Sequence, residues 1–242
     1  MPLIIGHAGA GGEAPENTLA GVRKALAAGV DGMEIDVQLC ADGVPVLMHD
    51  ATVDRTTNLT GRVRALSLAA LQGADCGGGE HVPTLAEVLC LVDGHCTVMC
   101  ELKVEAEAGT GDDALVRAVL QVIAAHDAQR WCAVHSFDGA VVRASRLQDP
   151  RVSAALIVGD VDADAMQRML GAVLRRHAQA ISVQHTCITP ALVVMAKRRQ
   201  ITLWCWTANR QADWARLVDA GVDGIMTDEP QLLRAYLAAR RG

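Results

Sequence analysis

Two kinds of hydrophobic segment alternate along the chain. Short runs rich in β-branched and other apolar residues predict strands, and most stretches between them place apolar residues at helical spacing, as at Leu115, Val119 and Ile123. The predicted strands are Leu3–Ile5, Met33–Leu39, Val44–Met48, Thr97–Lys103, Cys132–Phe137, Ala154–Val158, Ile181–Gln184, Ile201–Trp206 and Gly224–Thr227. Such alternation over a whole chain is typical of a parallel sheet with helical crossovers.

The second and third predicted strands are too close together to be parallel. Only residues 40–43 separate them, whereas a parallel crossover needs about a dozen residues or more. They therefore predict an antiparallel hairpin with Asp42-Gly43 as a two-residue turn, which places Asp36 opposite His49. The other eight strands predict an α/β fold, a (β/α)8 TIM barrel with a β-hairpin excursion after the second strand, for which ~250 residues is the usual size.

No linker of low complexity divides the 242 residues. The segment from about residue 50 to 82 lacks clear periodicity and is rich in Thr, Gly and Asp. We interpret it as a small insertion after the hairpin, so that residues 1–242 form a single catalytic TIM-barrel domain.

Composition narrows the possible functions. The chain has 22 basic and 28 acidic residues and a net charge of −6, which argues against nucleic-acid binding. No apolar run approaches the ~18 to 20 residues that span a bilayer, and the N-terminus lacks the basic and apolar regions of a signal peptide. We expect a cytoplasmic protein without stable membrane insertion, acting on a small molecule; its oligomeric state stays open.

The eight cysteines do not follow a disulfide or zinc pattern. No pair is spaced as C-x-x-C, and none has the Cys/His spacing of a zinc site. Most lie within apolar segments, so we expect small buried hydrophobic residues in a reducing compartment.

Charged residues recur where predicted strands end. Glu34 and Asp36 are two positions apart and share one face of a strand, and Glu101 and Lys103 repeat this arrangement. Barrel enzymes carry their catalytic groups at the carboxyl ends of the strands. Three converging carboxylates would repel one another without a cation, and carboxylate oxygens suit Mg²⁺ or Ca²⁺. Either pair alone is also compatible with an exposed strand face, but together they favour a site for one divalent cation.

Histidines flank this predicted cation site. His7 closes the first strand, and His49 follows the hairpin. Two histidines beside bound carboxylates suggest one general acid and one general base, without showing which is which. Three further residues at strand ends are candidates for lining a substrate channel: Ser136, His185 and Trp206. For Trp206, which shares a strand face with Trp204, packing inside the barrel is the alternative.

An ordered series of motifs resembles the glycerophosphodiester phosphodiesterase family. The motifs are His7-Ala8-Gly9, Ala14-Pro15-Glu16-Asn17-Thr18, Gly32-Met33-Glu34-Ile35-Asp36-Val37, Val46-Leu47-Met48-His49-Asp50, Pro83-Thr84-Leu85, Glu101-Leu102-Lys103, Ser136-Phe137, Trp206-Thr207-Ala208-Asn209 and Gly221-Val222-Asp223-Gly224-Ile225-Met226-Thr227-Asp228. The resemblance spans nearly the whole chain. It implies a (β/α)8 barrel that hydrolyses glycerophosphodiesters to glycerol 3-phosphate and an alcohol with a divalent cation, in lipid and glycerol metabolism.

The resemblance also implies roles for individual residues. It makes Glu34, Asp36 and Glu101 ligands of the cation, Lys103 a contact of the phosphate, and the two histidines the acid and the base. One position departs from the family pattern, because Ala8 stands where an arginine usually follows the first histidine. A charge-assisted arginine–phosphate contact contributes roughly 1.5 to 3 kcal/mol. Either another donor such as Arg55 replaces it, or the vacated volume admits a different substrate.

The hypothesis from the sequence is metal-assisted hydrolysis of a phosphodiester. The attacking hydroxyl is either water or the 2-hydroxyl of the substrate's glycerol. The alternatives are a phosphodiesterase specialised for another head group or a lysophospholipid, and a binder of phosphodiesters without catalysis. Metal-dependent enolate chemistry would use the carboxylates but does not explain the histidine pair.

Overall fold

A computed structural model describes residues 1–104, 112–160 and 163–240. Its strands are β1 (Leu3–Gly6), β2 (Gly32–Leu39), β3 (Pro45–Leu47), β4 (Thr97–Leu102), β5 (Cys132–Ser136), β6 (Ser153–Val158), β7 (Ala180–Gln184), β8 (Thr202–Trp206) and β9 (Gly224–Thr227). Its helices are α1 (Leu19–Ala28), α2 (Leu68–Gln72), α3 (Leu85–Val92), α4 (Asp113–Ala125), α5 (Gly139–Gln148), α6 (Ala163–Arg175), α7 (Pro190–Arg198), α8 (Gln211–Ala220) and α9 (Pro230–Ala239).

Eight parallel strands close into a barrel. Their order around the ring is β1-β2-β4-β5-β6-β7-β8-β9, and β9 pairs with β1 to complete it. β3 lies outside the ring and pairs antiparallel with β2, and its Val46 also forms an isolated antiparallel bridge with Thr84. The predicted (β/α)8 barrel with a hairpin excursion is therefore confirmed.

Local sequence chemistry defines the helix ends, as α3 illustrates. The Thr84 hydroxyl accepts a hydrogen bond from the Glu87 backbone N–H at 3.2 Å, and the Glu87 carboxylate accepts from the Thr84 N–H at 2.8 Å. This reciprocal capping satisfies donors that the first helical turn leaves without partners. The helix ends at Asp93, whose φ of 44° is left-handed. Between these ends α3 buries one apolar face in the core of the barrel and its helices.

Alternation along the strands separates the helix-facing core from the barrel interior. On β2, Met33, Ile35 and Val37 pack in the cluster that includes the helices, so Glu34 and Asp36 point the other way. A second cluster consists of residues from seven strands of the ring: Ile5, Met99, Ala133, Ala155, Ala180, Trp204 and Met226. This cluster fills the barrel interior beneath the charged groups.

The hairpin register differs by one residue from the prediction. The Gly43 N–H donates to the Cys40 carbonyl at 3.0 Å, and Cys40 pairs with Val44, so the loop has three residues. Gly43 has a φ of 72°, the left-handed conformation that closes three-residue hairpin loops. Asp36 therefore lies opposite Met48, whose N–H donates to its carbonyl at 3.1 Å. The predicted pairing of Asp36 with His49 is wrong, because an Asp-Gly sequence suits both loop lengths.

The segment after the hairpin has a small hydrophobic cluster of its own. It contains a 3₁₀ turn at Val63–Ala65 and helix α2. Residues of the hairpin and of this segment are buried together: Cys40, Val46, Met48, Val53, Val63, Leu71, Ala74 and Val82. The segment is thus packed against β3, and the division into one catalytic domain with an insertion at about 50–82 stays a prediction.

The cysteines are free thiols, and five of the eight are buried. Their buried positions agree with the apolar segments in which they occur. No helix in the described ranges combines the length and the apolar character required to cross a bilayer.

Candidate active site

A cavity of about 200 Å³ opens at the carboxyl ends of the barrel strands. Its lining combines ionisable side chains with an apolar wall: His7, Glu34, His49, Glu101, Lys103, His135, Phe137, Ile157, Ser182, Trp206, Thr207 and Met226. Five of the residues singled out in the sequence as acid, base, cation ligand or phosphate contact line this one cavity, and the sixth, Asp36, contacts Lys103. This end of the barrel is where TIM-barrel enzymes place their chemistry.

His7 is held between two carboxylates. Its Nδ1 lies 2.7 Å from Asp228 Oδ1, and because a carboxylate only accepts hydrogen bonds, Nδ1 carries the hydrogen. Its Nε2 lies 3.9 Å from Glu34 Oε2. Burial opposes a charged imidazole, but the hydrogen bond to Asp228 and the charge of Glu34 raise the pKa of His7 to about 9.

Glu34 is buried, with 1% of its surface exposed. The backbone N–H of Ala8 donates to Glu34 Oε2 at 3.0 Å. Burial alone would raise the pKa of this carboxyl, but the rings of His135 and His7 lower it to about 2. Its other oxygen, Oε1, has no hydrogen-bond partner among the described residues.

Asp36 is equally buried but has a different set of partners. The Asn17 amide donates to Asp36 Oδ2 at 2.7 Å, and its carbonyl oxygen accepts from the Asp36 N–H at 2.9 Å. Lys103 Nζ lies 3.0 Å from Asp36 Oδ1. Burial and the charge of Glu34 nevertheless raise the pKa of Asp36 to about 6. Asn17, which lies two residues before α1, therefore orients Asp36.

Lys103 joins the carboxylates of two neighbouring strands. In addition to Asp36, its ammonium contacts Glu101 Oε1 at 2.7 Å. Burial would lower the pKa of Lys103, but the charges of Asp36 and Glu101 raise it. The lysine is therefore a permanent positive charge at the mouth of the barrel.

His49 follows the hairpin and is about half exposed. Its Nδ1 lies 2.7 Å from Asp50 Oδ1, so that its Nε2 is the nitrogen available to a ligand. The carbonyls of Met48 and Asp50 both accept from the Gln38 amide, at 2.7 and 2.6 Å. Gln38, on β2, thereby fixes the backbone on both sides of His49.

Arg55 is engaged by two acidic side chains. Its Nε donates to Asp50 at 2.6 Å, and its two terminal nitrogens donate to Glu16 at 3.0 and 2.6 Å. The guanidinium is thus part of an ion-pair network with Glu16 and Asp50 beside the cavity. The suggestion that it replaces the family's arginine stays a prediction.

His135 is a site residue that the sequence reasoning did not single out. It is 2% exposed, and its neighbours in register, Glu101 and then Asp36, lie on the next strands of the sheet. Ligand atoms of His135, Glu34 and Glu101 all lie within 4.8 Å of one another. The period of two along β5 was the available signal, because an inward Ala133 implies an inward His135 and an outward Ser136.

The three predicted channel residues have different positions. Trp206 lines the cavity, and its ring meets that of Phe137 edge to face at 5.7 Å between centroids. Ser136 is buried outside the lining, with its hydroxyl donating to the Leu102 carbonyl at 2.9 Å. His185 lies in a 3₁₀ turn, 3.6 Å from Asp213, and is not part of the lining either.

The donor set fits a divalent cation. Two buried carboxylates of β2 and the half-buried Glu101 of β4 lie close together, and oxygen-rich sites of this kind suit hard divalent ions. Glu34 Oε1 and both ring nitrogens of His135 are buried without hydrogen-bond partners in the described part of the chain. A bound cation would provide a partner for the Glu34 oxygen and for one of the two ring nitrogens.

The fold and the site define an enzyme of the (β/α)8-barrel class with an acidic, histidine-flanked mouth. Residues 7–232 match the model of the glycerophosphoryl diester phosphodiesterase family. The chain belongs to that family, whose named members are phosphoric diester hydrolases.

Individual relatives align with this chain over almost their full length. A glycerophosphodiester phosphodiesterase of Caldanaerobacter subterraneus subsp. tengcongensis is 34% identical over 242 residues, which cover 96% of each chain. The crystal structure of a glycerophosphodiester phosphodiesterase from Agrobacterium tumefaciens has a TM-score of 0.81 at 27% identity, covering 97% of this chain and 100% of that one. An Oleispira antarctica phosphodiesterase, solved with the product sn-glycerol-3-phosphate, has a TM-score of 0.87 at 25% identity, covering 98% and 97%.

Proposed function

We propose that this protein hydrolyses glycerophosphodiesters to glycerol 3-phosphate and an alcohol, with a divalent cation and a histidine acid/base pair. The observation that carries the proposal is that His7 and His49 line the same cavity as Glu34, Glu101 and Lys103. The complex of the Oleispira relative with sn-glycerol-3-phosphate supports the same product.

Glu34, Asp36 and Glu101 are the proposed ligands of the cation, either Mg²⁺ or Ca²⁺. A cation bound by them would polarise a phosphoryl oxygen and lower the pKa of the attacking hydroxyl. Hydrogen bonds orient two of these ligands: the Asn17 amide donates to Asp36, and the Ala8 N–H donates to Glu34.

The two histidines exchange protons with the substrate. Asp228 and Asp50 each accept a hydrogen bond from Nδ1 of one histidine, which leaves Nε2 of both rings to face a ligand. One ring removes the proton of the attacking hydroxyl, and the other protonates the departing alcohol. Lys103 stabilises the negative charge that develops on the phosphoryl oxygens.

Replacement of each histidine tests this assignment. We expect His7→Ala and His49→Ala to lower the release of sn-glycerol 3-phosphate from glycerophosphocholine by at least about a hundredfold, the usual range for an acid or base. His126→Ala is the matched control, because His126 follows α4, where its ring contacts the Val122 carbonyl. Near wild-type turnover in either of the first two variants would contradict the assigned roles. Inactivity of the wild type with every metal and substrate would favour a non-catalytic binder.

The space beside Ala8 supports a second candidate, a phosphodiesterase for another head group or for a lysophospholipid. A cavity of about 260 Å³ lies there, lined by His7, Ala8, Gly11, Glu16, Asp36, His49, Arg55 and Asp228. Arg55, on the same wall, already binds Glu16 and Asp50, and this engagement favours the second candidate over direct replacement of the lost arginine by Arg55.

Ala8→Arg separates the two candidates. If the protein is a glycerophosphodiesterase with weakened phosphate binding, kcat/KM for glycerophosphodiesters rises by about ten- to a hundredfold, the equivalent of one charge-assisted contact. If the pocket serves another head group, kcat/KM for glycerophosphodiesters does not rise, and a lysophospholipid or another diester is the better substrate of the wild type. The measurement is kcat/KM over a panel of diesters for both proteins.

The cellular setting is also proposed from the sequence. We propose a cytoplasmic enzyme of lipid and glycerol metabolism that acts on a small molecule, and the free, mostly buried cysteines support a reducing compartment.

A further inference from the structure

One buried side chain at the mouth of the barrel has no role in the acid/base scheme. His135 is 2% exposed, and neither of its ring nitrogens has a hydrogen-bond partner among the described residues. Buried polar groups in native proteins nearly always have a partner, and the exceptions call for a ligand or another explanation.

The orphaned ring faces an orphaned carboxylate oxygen. His135 Nε2 lies 3.8 Å from Glu34 Oε1, too far for a hydrogen bond, and Oε1 is likewise buried without a partner in the described ranges. The separation between His135 Nε2 and Glu34 Oε1 is long enough for a third atom to contact both.

A third donor completes the cluster. Glu101 is the register neighbour of His135 on β4, and one ligand atom from each of Glu34, Glu101 and His135 lies within 4.8 Å of the other two. The three side chains come from β2, β4 and β5, so the wall of the barrel holds them in place. This is the separation expected of ligands around one ion.

We propose that His135 is a direct ligand of the cation and gives the site a preference for first-row transition ions, such as Co²⁺ and Zn²⁺, over Ca²⁺. The proposal rests on the cation site of the proposed function and adds a nitrogen to it. Imidazole nitrogen suits Zn²⁺ and neighbouring transition ions, whereas Ca²⁺ and Mg²⁺ take oxygen ligands. Loss of the ring should therefore affect the two groups of ions unequally.

Metal titration of the whole, metal-free protein tests this inference without an activity assay. Wild type, His135→Gln and His135→Phe are titrated with Co²⁺, followed by visible absorption, and with Ca²⁺, followed by calorimetry. We expect the Co²⁺ affinity to fall at least about tenfold in both variants, with a change in the absorption bands, while the Ca²⁺ affinity changes less than about threefold. His185→Gln is the control, since His185 lies outside the cavity, and it should leave both affinities unchanged.

Each remaining outcome overturns the inference. An unchanged Co²⁺ affinity and spectrum would show that the ring is not a ligand. An equal fall for Co²⁺ and Ca²⁺ would show that it only shapes the pocket, and the Phe variant guards against ligation by the Gln side chain. Failure of the proposed function is distinguishable, because it would appear as absent diester hydrolysis in a wild type that still binds Co²⁺ through His135.

Discussion

At the scale of single residues, Glu34 and Asp36 occupy different electrostatic environments although both are buried on one strand. Glu34 accepts from the Ala8 N–H and faces two histidines, whereas Asp36 is held by Asn17 and Lys103. Their pKa values move in opposite directions, to about 2 and about 6. Both carboxylates point into the mouth, so the alternative of an exposed strand face does not apply.

Asp228 should control the protonation of His7. In the metal-free protein, Asp228→Asn removes a charge and weakens the hydrogen bond to Nδ1, so we expect the pKa of His7 to fall from its value of about 9 towards or below its ordinary value. The measurement is an NMR titration of the His7 imidazole in the presence of a chelator. An unchanged midpoint would contradict the role of Asp228.

The same shift has a consequence for stability. Because the pKa of folded His7 lies above its ordinary value of 6.5, the ring's contribution to the free energy of unfolding is fully present below pH 6.5. It is lost as the pH rises through about 9. In Asp228→Asn this loss should be smaller, which urea unfolding of the metal-free proteins at both ends of that pH range would reveal.

The sequence predicted some of the residues that form the site and missed others. Alternation along the strands predicted that Glu34, Glu101 and Lys103 converge at the mouth of the barrel, and these three side chains line one cavity. It did not indicate the contact of Asn17 with Asp36, because that contact spans 19 positions and depends on a left-handed Asn17 with a φ of 56°. Ser136 was selected because it ends its strand, although the alternation along β5 turns its neighbour His135 inwards.

At the scale of elements, the hairpin of β2 and β3 positions His49. β3 is only three residues long, and its last bond to β2 runs from the Met48 N–H to the Asp36 carbonyl. This bond supports the backbone on only one side of His49. Gln38 on β2 supplies the missing support, because its amide bonds the carbonyls of Met48 and Asp50. The loop length was not predictable from Asp42-Gly43 alone, since glycine supports both two-residue and three-residue turns.

Gln38→Met should disturb His49 without emptying the space that Gln38 fills. Two carbonyls lose their buried donor, at a cost of about 1–3 kcal/mol in the free energy of unfolding. The looser backbone should also lower kcat for glycerophosphodiesters by about tenfold or more through misplacement of the ring. Gln121→Met, on the exposed face of α4, is the control. Wild-type stability and kcat in Gln38→Met would show that the amide does not position this segment.

At the scale of the whole molecule, ring closure is what brings distant residues into one site. β1 pairs with both β2 and β9, and this pairing places His7 beside Asp228, 221 positions away in the chain. The count of strands and the short hairpin connection were enough to predict the barrel. The sequence does not show the depth at which each side chain lies, because depth depends on the stagger between strands.

The central claim is that a cation and the phosphate of the substrate bind together between these strand ends. The most direct measurement is a crystal structure of the protein with Mn²⁺ and sn-glycerol 3-phosphate, with the ion located by its anomalous scattering. The account predicts one Mn²⁺ contacted by Glu34, Asp36 and Glu101, with the phosphate between it and His7, His49 and Lys103. An ion or a phosphate bound only elsewhere on the molecule, with this cavity holding water alone, would contradict the account.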